Sequence, residues 1–273
     1  MNSDLQRAVQ WYPGHMVRAM RKMAEYLKLV DLVIEVIDAR APRSDQNPLL
    51  DALIGTRDRL TILNRDDLAE PATTKRWLEW FEARGRRAIA TEGRQQQSVG
   101  RILRAVNELA AKRTGMTRAI IVGLPNSGKS SIINGLLKRS AAKTEDRAGV
   151  TRQLQWFRLG PGIELMDTPG ILVPKIETPE SQWKLAMIGA VPRERYDPEE
   201  VAVHFHRWLE SKTNGRTNVP DLESFARARG FARRGGEVDY HNAAQSYVRA
   251  FNDGSFGRLS LETPDDDETR QAT

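Results

Sequence analysis

The chain has 273 residues, 40% of them hydrophobic and 29% charged, which is enough to bury a full core and too apolar for a disordered polyelectrolyte. It contains no cysteine, which excludes disulfides, thiol nucleophiles, zinc fingers and iron–sulfur clusters. Its 42 Lys and Arg against 36 Asp and Glu leave a net charge of +6 and favour a polyanionic partner; the absence of an apolar leader, and of any run near the roughly 20 apolar residues of a spanning helix, points to the cytoplasm and away from membranes.

Along the chain, residues 31–38 (DLVIEVID) read as a buried strand of a parallel sheet that ends in the polar loop ARAPRSDQNP. Residues 60–63 form a second short strand running into Asn64. A helix is expected from the start signal Thr73/Thr74, packing Trp77, Leu78, Trp80 and Phe81. Residues 88–90 are a weaker third strand. The spacing of Val99, Ile102, Leu103, Val106, Leu109 and Ala110 predicts a helix over 98–112, and strands follow at 119–122, 153–159 and 163–166. This alternation predicts an α/β fold with right-handed crossovers and helices on both faces of the sheet.

Beyond Pro174 the pattern becomes helical, at 181–189, 199–209 and 242–251, with Pro-, Gly- and Arg-rich connections. Three parts are expected: a nucleotide domain with a basic N-terminal segment over 1–176, a smaller all-helical domain over 177–262, and an acidic tail over 263–273. The basic stretch ARARGFARR suits contact with RNA phosphates. His204 and His206, two apart on a helix, point to different faces and speak against a metal pair.

The chemistry begins at residues 123–130, GLPNSGKS, a match to G-x-x-x-x-G-K-[ST] that follows a strand and opens a helix. Two glycines let the backbone curl, so that Asn126, Ser127, Gly128, Lys129, Ser130 and Ser131 surround a phosphate chain at a helix N-terminus. Lys129 supplies a cation, and Ser130 a hydroxyl for Mg²⁺. The sequence Asp167-Thr168-Pro169-Gly170 ends the next apolar stretch, placing Asp167 behind the metal and the Gly170 amide near a γ-phosphate. Thr151, in the Gly149-Val150-Thr151-Arg152 stretch, completes the metal shell when a γ-phosphate is present.

Asn64-Arg65-Asp66-Asp67 resembles the N-K-x-D guanine-reading motif, with Arg65 in the Lys place. A carboxylate at Asp67 accepts from both N1–H and the exocyclic amine of guanine, donors that adenine does not present. Asn64 either bonds another base edge or ties this loop to the phosphate loop. Thr91-Glu92-Gly93 falls where a second base loop is expected. The base-reading motif therefore precedes the phosphate loop, the reverse of the usual order: the motifs are circularly permuted.

With WYPGHM at 11–16, DAR at 38–40, NP at 47–48 and FGRLS at 256–260, the chain resembles the circularly permuted GTPases of the ribosome biogenesis GTPase A family over nearly its whole length. The resemblance implies hydrolysis of GTP with Mg²⁺, binding to the large ribosomal subunit and its rRNA through the helical domain, and no DNA partner. It also offers His15 as the residue that orients the attacking water, since Ile171 stands where many GTPases carry a glutamine. Among basic neighbours, His15 is equally placed to touch RNA phosphate. An asparagine at Asn126 is also a potential ligand for K⁺ beside the phosphates. Two rivals remain at this level: an ATP-using P-loop enzyme, and an RNA-binding scaffold with nucleotide as a structural ligand.

Overall fold

A computed structural model describes residues 13–92, 95–141, 156–166, 178–231 and 237–266, with side chains from Arg18 in the first helix and up to Lys138 in the fifth. The chain divides into two compact units, one comprising Ile176–Leu259 and the other Trp11–Lys175 with Ser260–Thr273.

The larger unit is built on a six-stranded sheet of order β3-β2-β1-β4-β6-β5, from β1 (Leu32–Asp38), β2 (Asp58–Asn64), β3 (Arg87–Thr91), β4 (Thr117–Val122), β5 (Trp156–Gly160) and β6 (Ile163–Met166). Pairings from β3 through β6 are parallel. The expected run of parallel strands stops there, because β5 pairs antiparallel with β6. Only Pro161 and Gly162 separate them, too few for a crossover and enough for a hairpin turn, with Gly162 at φ 75°.

β1 is buried along its whole length, as its unbroken apolar run requires. Leu32, Ile34 and Val36 face α4 (Gln96–Ala110) and α5 (Lys129–Ala141), where Ile102, Val106, Ile132 and Leu136 complete one core. Ile37 and Leu63 lie in a second core with Trp77 and Phe81 of α3 (Pro71–Ala83). That helix starts at Pro71, two residues before Thr73, because proline's fixed φ suits the first helical position; Glu70 is its N-cap.

Two helices fall in stretches to which the sequence assigns no element. α1 (Pro13–Leu27) opens at Pro13, where a proline costs the helix no hydrogen bond, and buries Met23 and Leu27. α2 (Pro48–Ile54) follows an Asn47 cap whose side chain accepts the Leu49 amide at 3.0 Å. The polar loop between β1 and α2 is itself buried, with Ala39, Arg40, Ala41, Asp45 and Asn47 all within 2% of full burial.

The smaller unit contains α6 (Pro179–Met187), α7 (Pro198–Thr213), α8 (Leu222–Ala228) and α9 (Tyr240–Asn252), with no strand among its described residues. Thr178, Asp197, Asp221 and Asp239 cap these helices by accepting main-chain amides. Its core is aromatic: Tyr247 meets Phe205 and Phe225 edge-on and Phe256 at a tilt, and Phe205 stacks near Phe256. His206 lies 3.5 Å from Glu210, and no cluster of metal-ligating side chains occurs among the described residues.

The helical unit closes at Leu259, three residues short of the expected boundary, and residues 260–266 return to the sheet unit. Ser260 Oγ accepts the Glu70 amide at 3.0 Å, the Leu261 amide donates to Arg40 O at 2.7 Å, and Trp77 Nε1 donates to Glu262 O at 3.2 Å. The Glu262 carboxylate, 4% exposed, accepts the amides of Arg43 (2.8 Å) and Ser44 (3.1 Å) and the Ser44 hydroxyl. Asp265, assigned from its composition to an acidic tail, pairs with Arg76.

Candidate nucleotide site

The connections leave the sheet in opposite directions from its middle: β1, β2 and β3 run outward one way, β4 and β6 the other. Such a switch point, at the carboxyl ends of adjacent parallel strands, is where α/β sheets open a crevice. Asp38 ends β1, Asn64 ends β2, and the loop 123–130 leaves β4 between them and the head of α5.

That loop has glycine where nothing else fits. Gly123 sits at φ 156°, and a Cβ there would lie 2.3 Å from Val36 O; at Gly128, φ 95°, it would lie 2.1 Å from Asn64 Nδ2. Asn126 takes the left-handed conformation at φ 60°, which asparagine tolerates better than most residues. Its side chain is exposed, as are Ser130 and Ser131 at the start of α5, whereas Ser127 is buried. Lys129 Nζ donates to Leu124 O at 2.5 Å. Burial pulls the Lys129 ammonium below its ordinary range, against an opposing pull from Asp45.

The base-reading stretch is fastened to this loop. Asn64 Nδ2 donates to Ser127 O at 2.8 Å, and Asn64 Oδ1 accepts the Thr91 hydroxyl at 3.2 Å. Both ends of the Asn64 amide are engaged by protein, so of its two expected roles the geometry presents the tie between loops. Thr91, buried, backs Asn64. Arg65, at φ 60°, donates from Nη2 to Asn126 O at 2.9 Å, and its Nε lies 3.8 Å from Asp38 Oδ2. Arginine in the lysine place thus braces the phosphate loop from a left-handed position. Asp67 lies in the short 3-10 turn Asp66–Leu68 with its side chain exposed. The Glu92 amide donates to Ser98 Oγ at 3.0 Å, and its carboxylate accepts from Gln95.

Gly93, Thr151, Asp167 and Gly170 lie outside the described residues, as does the side chain of His15; its backbone belongs to α1. β6 runs parallel to β4, so its last residue, Met166, lies at the same end of the sheet as the end of β4.

Sequence reasoning missed the floor of the crevice. Arg40 holds Asp38 bidentately, Nε to Oδ1 at 2.9 Å and Nη2 to Oδ2 at 2.8 Å, each side chain 1% exposed. Asp45 sits beneath, its Oδ2 accepting the Asp38 amide at 2.6 Å. A carboxylate at a strand end with an arginine two residues on is a legible local pair; nothing in the sequence indicates that Asp45 is buried.

A phosphate loop at the switch point, tied to a guanine-type motif that precedes it in the chain, defines a P-loop GTPase with circularly permuted motifs. Residues 118–214 match the family described as 50S ribosome-binding GTPase. A ribosome biogenesis GTPase A of Bacillus cereus is 37% identical, covering 94% of this chain and 95% of its own. Among solved structures, TM YlqF bound to GDP and Thermotoga maritima YlqF bound to GNP both give a TM-score of 0.73 at 31% identity, covering 90% of this chain and 100% and 98% of theirs. The chain belongs to the ribosome biogenesis GTPase A family, and is a GTP hydrolase of ribosome biogenesis.

Proposed function

We propose that the protein binds the large ribosomal subunit and promotes its late assembly, hydrolysing GTP to GDP and phosphate in the cytoplasm. The 2.8 Å bond from Asn64 to Ser127 O carries this reading, because it brings the base-reading and phosphate loops into one crevice despite their reversed order. Asp67, exposed beside it, reads the guanine edge, with Glu92 and Gly93 on the second base loop. Residues 126–131 wrap the phosphates, and Lys129 leaves Leu124 O to meet them. The relatives' name and the 50S-binding description of the matched family support the ribosomal partner; the basic stretches of the helical unit suit contact with rRNA.

Mg²⁺ suits the donor set of Ser130, Thr151 and Asp167, all hard oxygen ligands, and the exposed Ser130 hydroxyl at the head of α5 is open to it. When bound, the metal offsets charge on the phosphates. Asn126 is the candidate K⁺ ligand. The Gly170 amide meets the γ-phosphate, and His15 orients the attacking water; His15→Ala should then bind GTP normally and lose ribosome-stimulated turnover, whereas an RNA contact would lose ribosome binding. The decisive experiment compares turnover of GTP and ATP with and without large subunits, alongside co-sedimentation with a non-hydrolysable GTP analogue. GTP-selective turnover raised by large subunits is expected. Equal use of ATP, or no association with large subunits, overturns the reading.

A further inference from the structure

The base-reading turn hangs between two anchors, and only the first belongs to the crevice itself. Asn64, three residues before Asp67, is engaged at both ends of its amide, by Ser127 O and by the Thr91 hydroxyl. Glu70, three residues after Asp67, donates its amide at 3.0 Å to Ser260 Oγ, 190 positions later in the chain. Ser260 is 8% exposed and is the first residue after the helical unit, which ends at Leu259. The returning segment is fixed in turn. The Leu261 amide donates to Arg40 O at 2.7 Å, Trp77 Nε1 donates to Glu262 O at 3.2 Å, and the Glu262 carboxylate holds the Arg43 and Ser44 amides. Ala69, between the turn and its second anchor, packs in the same core as Trp77. The Ser260 hydroxyl is therefore an acceptor held in place from several sides.

Asp67 needs such an anchor. Its carboxylate is exposed and makes no hydrogen bond or ion pair with any described residue, so its place is set by the main chain of the Asp66–Leu68 turn alone. Within the turn the Leu68 amide donates to Arg65 O at 2.9 Å and the Ala69 amide to Asp66 O at 3.2 Å, bonds that fix its shape and leave its aim to the flanks. A carboxylate that accepts two parallel donors from one base edge must hold a fixed plane, whereas a single donor tolerates a swinging one. Ordering a loose carboxylate at the moment of binding also costs affinity that a preset one keeps. We propose that Ser260 is a positioning residue for guanine selectivity: its hydroxyl fixes the outgoing side of the base-reading turn and so aims Asp67 at the paired donors of guanine. Recognition of the base then depends on the residue at which the helical unit ends. This rests on the reading of Asp67 as the guanine contact.

The test measures affinities for GDP, inosine diphosphate and ADP in the full-length wild type, Ser260→Ala, Ser260→Thr, Asp67→Ala and the double variant Ser260→Ala/Asp67→Ala. Inosine keeps N1–H and lacks the exocyclic amine, so the ratio of GDP to inosine diphosphate affinity reads the paired contact. Ser260→Ala should lower that ratio by about two- to tenfold, the contribution of one hydrogen bond, and leave ADP affinity near the wild-type value. Ser260→Thr keeps the hydroxyl and should hold the wild-type ratio. In the Asp67→Ala background the second substitution should change the ratio no further, since the group it aims is gone. Hydrogen exchange at the Glu70 amide should quicken in Ser260→Ala, which shows the anchor released in a folded chain. An unchanged ratio in Ser260→Ala, or a fall in all three affinities by one common factor, overturns the proposal. So does a Ser260→Thr variant that loses the ratio as fully as Ser260→Ala. If Asp67→Ala keeps the wild-type preference for GDP over ADP, the base-reading assignment of Asp67 fails instead.

Discussion

Replacing Glu262 by alanine removes one carboxylate that serves two main-chain amides and a hydroxyl in a loop 219 residues earlier in the chain. With Glu262 only 4% exposed, water does not take over those donors freely. Leaving a buried donor unsatisfied costs about 1–3 kcal/mol, so the Arg43 and Ser44 amides together set an expected loss of about 2–6 kcal/mol. Glu262→Gln keeps an acceptor oxygen and gives up the charge, and should cost about 1 kcal/mol. Denaturant unfolding of the two variants measures the losses. Hydrogen exchange at the Arg43 and Ser44 amides localises them, since both should be protected in the wild type and exchange early in Glu262→Ala. If Glu262→Ala unfolds within about 0.5 kcal/mol of wild type with both amides still protected, the clamp carries none of the stability assigned to it.

Arg59→Met should destabilise the fold by about 3–5 kcal/mol, because Glu35, 1% exposed in β1, loses the guanidinium that pairs with it. Burial already raises the Glu35 carboxyl and Arg59 opposes that rise, so in the variant the native state holds its proton to still higher pH than the unfolded chain. Stability of Arg59→Met should therefore recover as pH falls toward the ordinary glutamate range, where Glu35 is neutral in both states; a deficit that stays constant with pH refutes the assignment. Gly128→Ala forces a Cβ into Asn64 Nδ2 at a backbone angle that disfavours side chains, and should lower GDP affinity more than tenfold in a fluorescence titration. Exchanging K⁺ for Na⁺ should slow GTP turnover in the wild type and leave Asn126→Ala insensitive to the ion; equal wild-type rates in both remove the K⁺ assignment.

Strands that are buried on both faces announce themselves as apolar runs, which is why 31–38, 60–63, 119–122 and 163–166 match β1, β2, β4 and β6 to within a few residues. The phosphate loop was equally legible, since its glycines answer to steric demands that a short motif encodes. Helix starts were read late wherever proline opens the first turn, at Pro71, Pro179 and Pro198, because the serine, threonine or acidic residues just inside the helix carry similar signals. The opening of α2 is written as Asn47-Pro48 before Leu49 and Leu50, a cap and first-turn proline that the run of polar residues before them obscures. The return of 260–266 was not legible at all. Its apolar content is small, and what fixes it is a set of single hydrogen bonds to partners far away in the chain, which leave no periodic trace. The burial of Asp45 was hidden for the same reason.

The clamp at Glu262 also sets an order of events during synthesis. Its carboxylate meets Arg43, 219 positions earlier in the chain, so the helical unit must be made before the clasp exists. Closing so long a span comes late in folding, since entropy is lost before the contact repays it. A nascent chain arrested short of Ser260 can pair β1 with β2 but leaves the Arg43 and Ser44 amides without their acceptor, and the loop over Asp45 unlatched. Completion of the GTP-binding half thus waits on the chain emerging beyond its helical insert, a built-in delay between translation of the site and its final fastening.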